Sequence, residues 1–126
     1  MSLTVMCAEK QPGVFLVSPF GSLDTTTHTI LEKQIDFLIA DNAATVITLD
    51  MTGVEYISSM GVRVVLKARR DLDRRKGRLM MVNLQPQIKK VFEIINALPS
   101  LQIFSSIEEL DNYLTEMQRQ TLQDRR

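Results

Sequence analysis

At 126 residues, with 15 basic against 15 acidic residues and a formal net charge of zero, the chain has the length of one ordinary domain and enough apolar content to close a single core. The balanced charge lacks the positive surplus that nonspecific phosphate binding needs, so no nucleic acid or membrane-surface partner is expected. Cys7 is the only cysteine, which excludes an intrachain disulfide; no apolar run approaches the roughly 20 residues of a membrane span, and "MSLTVMCAEKQPG" lacks the basic and apolar segments of a signal peptide, so the expected compartment is the cytoplasm, without membrane insertion.

In chain order, "LTVMC", "EKQPG" and "VFLVSPF" read as two short β-rich runs about a Pro-Gly turn, the pattern of a hairpin. After "GSLD", Asp24 is a candidate N-cap, and Ile30, Leu31, Gln34, Ile35 and Leu38 keep helical spacing, which predicts an amphipathic helix from Thr25 to Ala40. The nearly continuous β-branched and apolar run "TVITLDM", residues 45 to 51, predicts a central strand covered on both faces. Gly61, Val65, Ala68 and Leu72 share one face of a helix that starts near Met60 and ends near Gly77, a residue suited to a left-handed C-terminal position.

"RLMMVN" predicts the next buried strand, its Met pair assigned to the core. Pro86 suits the first turn of a helix whose inward stripe is Ile88, Val91, Phe92 and Ile95. "LQIF" predicts a short strand. Ser106 and Glu109 have capping-box spacing, and Ile107, Leu110, Leu114 and Met117 carry a last helix toward Gln118, which gives one domain over 1–118 and a frayed tail over 119–126. Strand-helix-strand crossovers demand parallel pairing, so the predicted fold is α/β, a small mixed sheet with about four helices packed on it.

The stretch "EYISSMGVR", residues 55 to 63, sets two hydroxyls before the glycine of a helix, where a serine can serve as nucleophile, helix cap or phosphate acceptor. A nucleophile needs a base, and His28 is the only histidine; no G-x-S-x-G elbow surrounds Ser58 and Ser59, so no enzyme is expected and no catalytic residue is assigned. Neither phosphate-cradling glycine motif is present, and one Cys, one His and scattered carboxylates show no metal-ligand spacing, so neither cofactor nor metal is expected. The plain alternative is that one serine simply caps the helix.

The segment "VITLDMTGVEYISSMGVRVVLKARR" resembles the strand-loop-helix signature of the STAS domain, in particular the bacterial anti-sigma-factor antagonists: an apolar strand ending in Asp, an aromatic-apolar pair, Asp-Ser-Ser or Asp-Ser-Thr, then Gly and an apolar helix. "GSLDTTT" resembles the family's Gly-x-Leu-Asp segment, and the likeness covers nearly the whole chain. With Gly61 aligned to the family's glycine, Ser59 takes the position of the phosphorylated serine, with Ser58 as the runner-up. Ser58 then stands where Asp is usual, Met60 where a second hydroxyl is usual, and Arg63 where a small residue is common.

The resemblance implies a partner-switching circuit. An unphosphorylated antagonist binds an anti-sigma factor that is also a serine kinase and so frees the sigma factor; phosphorylation ends that binding, and a serine phosphatase restores it. The implied partner-binding residues are Asp24, Ser58, Ser59, Met60, Gly61, Arg63 and Lys67. The alternative is a STAS interaction module of a signalling or transport complex without a phosphorylation switch. Arg63, Lys67, Arg70 and Arg74 recur at spacings of four, three and four, which predicts a basic stripe on one exposed helix face, either a solvated surface or a steering patch for an acidic partner.

Overall fold

The computed structural model describes residues 2–97 and 106–124. The hairpin is present: β1 (Leu3–Gln11) and β2 (Val14–Leu23) pair antiparallel around Pro12 and Gly13, with Leu3 opposite Gly21 and Gln11 opposite Val14. The other strands are β3 (Val46–Asp50), β4 (Gly53–Ile57) and β5 (Arg78–Val82), and the helices are α1 (His28–Asp41), α2 (Ser59–Arg74), α3 (Pro86–Ala97) and α4 (Ile107–Asp124).

The sheet runs in the order β1-β2-β3-β5, and all pairings other than the hairpin are parallel. β2 is long enough to serve two neighbours on one side. Val14–Val17 pair with β3, and Phe20–Leu23 pair with β4. β4 was not expected from the sequence. Asp50 Oδ1 accepts the Thr52 amide at 3.1 Å and the Thr52 hydroxyl at 2.6 Å, so an Asx turn lifts the chain out of β3 and lets it rejoin β2 further along.

Three expectations, for two strands and the end of α2, need correction. In β3 only Ile47 and Leu49 are buried while Val46, Thr48 and Asp50 are half-covered, so the strand is buried on one face rather than two. β5 is an edge strand rather than a buried one: Arg78, Met80 and Val82 are exposed, and only Leu79 and Met81 pack against the core. At the end of α2 the left-handed residue is Lys76 (φ 60°), not Gly77. Gly77 is required for close approach, since a Cβ there would lie 2.3 Å from the Thr45 carbonyl oxygen.

The helices close the core as their periodicity predicts. Leu31, Ile35 and Leu38 of α1, Val65, Ala68 and Leu72 of α2, Ile88, Val91, Phe92 and Ile95 of α3, and Leu110 and Leu114 of α4 join Phe15, Val17, Ile47 and Leu49 in one buried cluster. Ile30 departs from the inward set and is exposed, as is Phe37. α1 begins at His28 rather than Thr25. α4 runs on to Asp124 with Thr121 buried, past the expected end near Gln118. The "LQIF" segment lies outside the described residues.

Candidate functional site

The centre of the site is the junction where β4 hands over to α2. The Ser58 amide donates to the Leu23 carbonyl at 2.8 Å, continuing the β2–β4 ladder by one residue, and Ser58 is extended (φ −94°, ψ 174°). Its Oγ accepts the Gly61 amide at 3.4 Å, and its carbonyl accepts the Val62 amide at 3.0 Å. Ser58 is therefore the N-cap, and α2 starts at Ser59, one residue earlier than expected. Gly61 is fixed by packing: a Cβ there would meet Ile57 Cγ1 at 2.7 Å and the Leu23 carbonyl oxygen at 2.9 Å. The Gly-x-Leu-Asp and Ser-Ser-Met-Gly segments thus meet at Leu23.

Ser59 is the first residue of α2 and only 5% exposed. Its amide, one of the free donors of a helix start, donates to Asp111 Oδ1 of α4 at 2.8 Å, which suits the positive end of the helix dipole. Its hydroxyl oxygen is buried and has no hydrogen-bond partner among the described residues. Further along α4, Thr115 Oγ1 and the Tyr56 hydroxyl lie 2.8 Å apart. Gln118, itself buried, accepts the Ile57 amide at 3.0 Å and donates to the Ile57 carbonyl at 2.8 Å, as a neighbouring strand would. Sequence reading missed Asp111, Thr115 and Gln118; their spacing of four and three puts them on one helix face, but no local pattern names what that face meets.

Asp24 sits beside Leu23 and caps a turn that precedes α1 rather than the helix itself. Its Oδ1 accepts the Thr26 amide at 2.9 Å, the Thr26 hydroxyl at 2.8 Å and the Thr27 amide at 3.0 Å, and its own amide donates to Thr27 Oγ1 at 2.9 Å. Partial burial pushes the Asp24 carboxyl up, but the bonds from Thr26 and Thr27 together outweigh it and hold it below the usual carboxylate value. His28 Nδ1 lies 3.1 Å from the Asp24 carbonyl, which can only accept, so Nδ1 carries the hydrogen.

His28, Met60, Arg63, Lys67 and Arg70 line a cleft of about 370 Å³ between α1 and α2. The expected basic stripe is divided. Arg63, Arg70 and Arg74 are exposed, with the Arg63 guanidinium against Met60 Sδ at 3.8 Å. Lys67 instead crosses to α1, with Nζ 3.1 Å from Asp36 Oδ1 and 3.5 Å from Glu32 Oε2, and the Asp36 hydrogen bond raises its pKa. Among the described residues no group of three His, Cys, Asp or Glu side chains is placed to hold a metal, and no helix is long and apolar enough to cross a membrane.

Comparison with known proteins identifies the family. The STAS domain family model matches residues 6–110. BtrV of Bordetella bronchiseptica, provisionally named an anti-sigma factor antagonist, is 30% identical over 108 residues, covering 86% of this chain and 90% of that protein. The solved structure of the anti-sigma factor antagonist SpoIIAA in its unphosphorylated form superposes with a TM-score of 0.63 at 25% identity, covering 72% of this chain and 83% of SpoIIAA. The phosphorylated form of SpoIIAA, described as a Bacillus cell fate determinant, gives a TM-score of 0.64 at 25% identity, covering 73% and 83%. By the family model and these relatives, the chain belongs to the STAS domain family, among the anti-sigma factor antagonists.

Proposed function

We propose that this chain is the antagonist of a phosphorylation-controlled partner switch, with Ser59 as phosphoacceptor and an anti-sigma serine kinase as its binding partner in the unphosphorylated state. One observation carries the reading: Ser59 is the first residue of a 16-residue helix, and among the described residues its hydroxyl has no partner, at the end where the helix dipole favours added negative charge. The chain is then substrate and binder, not catalyst. In the modification step the Ser59 oxygen bonds to the γ-phosphorus of ATP as the bond to the β–γ bridging oxygen breaks; ADP leaves, and the hydroxyl proton passes to a base on the kinase. A serine phosphatase returns serine and inorganic phosphate by hydrolysis.

The direct effect on binding is electrostatic. A phosphate adds about 1.5 to 2 negative charges at the junction, and an unpaired charge buried against a partner costs several kcal/mol by order of magnitude, enough to lower affinity by a few powers of ten. Arg63, exposed beside Met60, and Arg70, exposed further along the cleft, supply the steering charge for an acidic partner surface.

Incubation with the cognate kinase and ATP should add a single phosphate, located by mass spectrometry, and Ser59→Ala should remove it. A phosphate on Ser58 would move the acceptor by one position. Absence of phosphate at both serines would favour a second reading, a STAS interaction module without a switch, whose supporting observation is the burial of Ser59.

A further inference from the structure

Ser59 is only 5% exposed and its hydroxyl is buried, so it is poorly placed to attack a kinase-bound nucleotide, and the element held over the β4–α2 junction is α4. Asp111 binds the Ser59 amide, Thr115 binds the Tyr56 hydroxyl, and Gln118 binds both backbone groups of Ile57. These residues form one row along α4, so the helix engages the junction through a continuous polar seam. The same α2 start thus holds one carboxylate from α4 and, a single residue from the cap, one buried hydroxyl with no partner among the described residues.

We infer that α4 is a latch on Ser59. The Asp111 carboxylate occupies the anion position of the α2 N-terminus in the unmodified chain, and a phosphate on Ser59 competes for that position and drives Asp111 and the N-terminal part of α4 away. The inference rests on Ser59 as the acceptor for its biological use. Its physical content needs only a negative charge at residue 59. Two anions near one helix start repel each other, and a helix dipole worth about half a unit charge does not balance both. The consequence is a mutual exclusion: with α4 closed, Ser59 is shielded from modification; with Ser59 phosphorylated, α4 is released from β4 and the partner-facing surface is remodelled.

Hydrogen exchange on the purified chain tests this without any kinase. Ser59→Glu should speed exchange across the α4 backbone from Asp111 to Gln118 by about tenfold or more, while Ser59→Gln, of equal size but neutral, should do much less. Adding Asp111→Asn to Ser59→Glu should restore most of the lost protection, because the repelling carboxylate is gone. If Ser59→Glu and Ser59→Gln loosen α4 equally, or if Asp111→Asn restores nothing, the competition is refuted.

A second measurement uses variants closer to the native shape. In a Cys7→Ser background, Ser59→Cys should react slowly with a neutral thiol reagent, and Gln118→Ala, which loosens α4 without altering charge beside residue 59, should raise that rate by about tenfold or more. An unchanged rate would overturn the latch. Neither measurement depends on phosphorylation, so a Ser59 that no kinase modifies would defeat the proposed function while these results decide the latch separately.

Discussion

Gly61→Ala tests whether the junction is as tightly packed as its distances state. The added Cβ would fall 2.7 Å from Ile57 Cγ1 and 2.9 Å from the Leu23 carbonyl oxygen, closer than carbon atoms approach such groups. Ile57 is fully buried, and the Leu23 oxygen is backbone that already accepts the Ser58 amide at 2.8 Å, so neither neighbour yields freely. Overpacking of this kind costs about 1–3 kcal/mol, and disturbing the Leu23–Ser58 bond adds roughly 1 kcal/mol. Against this, Ala gains about 0.8–1 kcal/mol over Gly in a helix interior, an advantage reduced in the first turn. The balance is a loss of about 1–3 kcal/mol, or a fall in Tm of about 3–12 °C for a domain of this size. Urea unfolding followed by circular dichroism measures it, with an unchanged m-value as the sign that the unfolded state is not involved. A variant as stable as the parent, or more stable, would refute the close approach of Leu23 to α2 and with it the joining of the two signature segments.

Asp24→Asn should flatten the acid limb of the stability curve. Because the folded-state pKa is below the ordinary 3.8, the carboxylate stabilises the fold above that value and loses its contribution as pH falls through the folded value. At neutral pH the variant should lose about 0.5–1 kcal/mol, and a parallel acid limb in both proteins would count against the Asp24–Thr26–Thr27 cap. Arg63→Glu and Lys67→Glu should part company. Arg63→Glu should slow association with the anti-sigma partner, most at low salt where the Debye length exceeds about 10 Å, with stability changed by less than about 0.5 kcal/mol. Lys67→Glu sets a third carboxylate beside Glu32 and Asp36 and should lower stability by about 0.5–1 kcal/mol as well. Association kinetics that ignore Arg63→Glu at every salt concentration would make the stripe a solvated surface only.

What was legible in the sequence was what depends on local spacing. The hairpin follows from a Pro-Gly turn between β-rich runs, and the inward faces of α1, α2 and α3 follow from apolar residues three and four apart. What was not legible depends on where an element sits. "RLMMVN" has the composition of a central strand, but β5 pairs on one side only, so alternate side chains meet water. "GVEYI" is short, carries an exposed Glu55, and follows β3 after only Met51 and Thr52; its strand character comes from the second half of β2, a distant partner. The left-handed position falls on Lys76, while the glycine at 77 answers to a different demand, its close approach to the distant Thr45. Asp111 and Gln118 join the site across 52 and 61 residues of sequence, and no spacing rule spans that interval.

The same long-range contact gives physical sense to the residue before Ser59. An aspartate at position 58, usual in the signature that the chain resembles, would place its own carboxylate at the cap of α2. Asp111 would then be a second carboxylate at the same helix start, 2.8 Å from the next amide. One carboxylate matches the roughly half unit of positive charge at a helix N-terminus; two at the same helix start are mutually destabilising. Ser58 satisfies the Gly61 amide with a neutral oxygen and leaves the charge to be supplied by α4. Ser58 and Asp111 thus satisfy neighbouring amides of the same helix start, one with a neutral oxygen and one with a charged oxygen. A carboxylate held by a residue adjacent in sequence cannot leave the helix start, whereas Asp111, carried by α4, can move only with that helix.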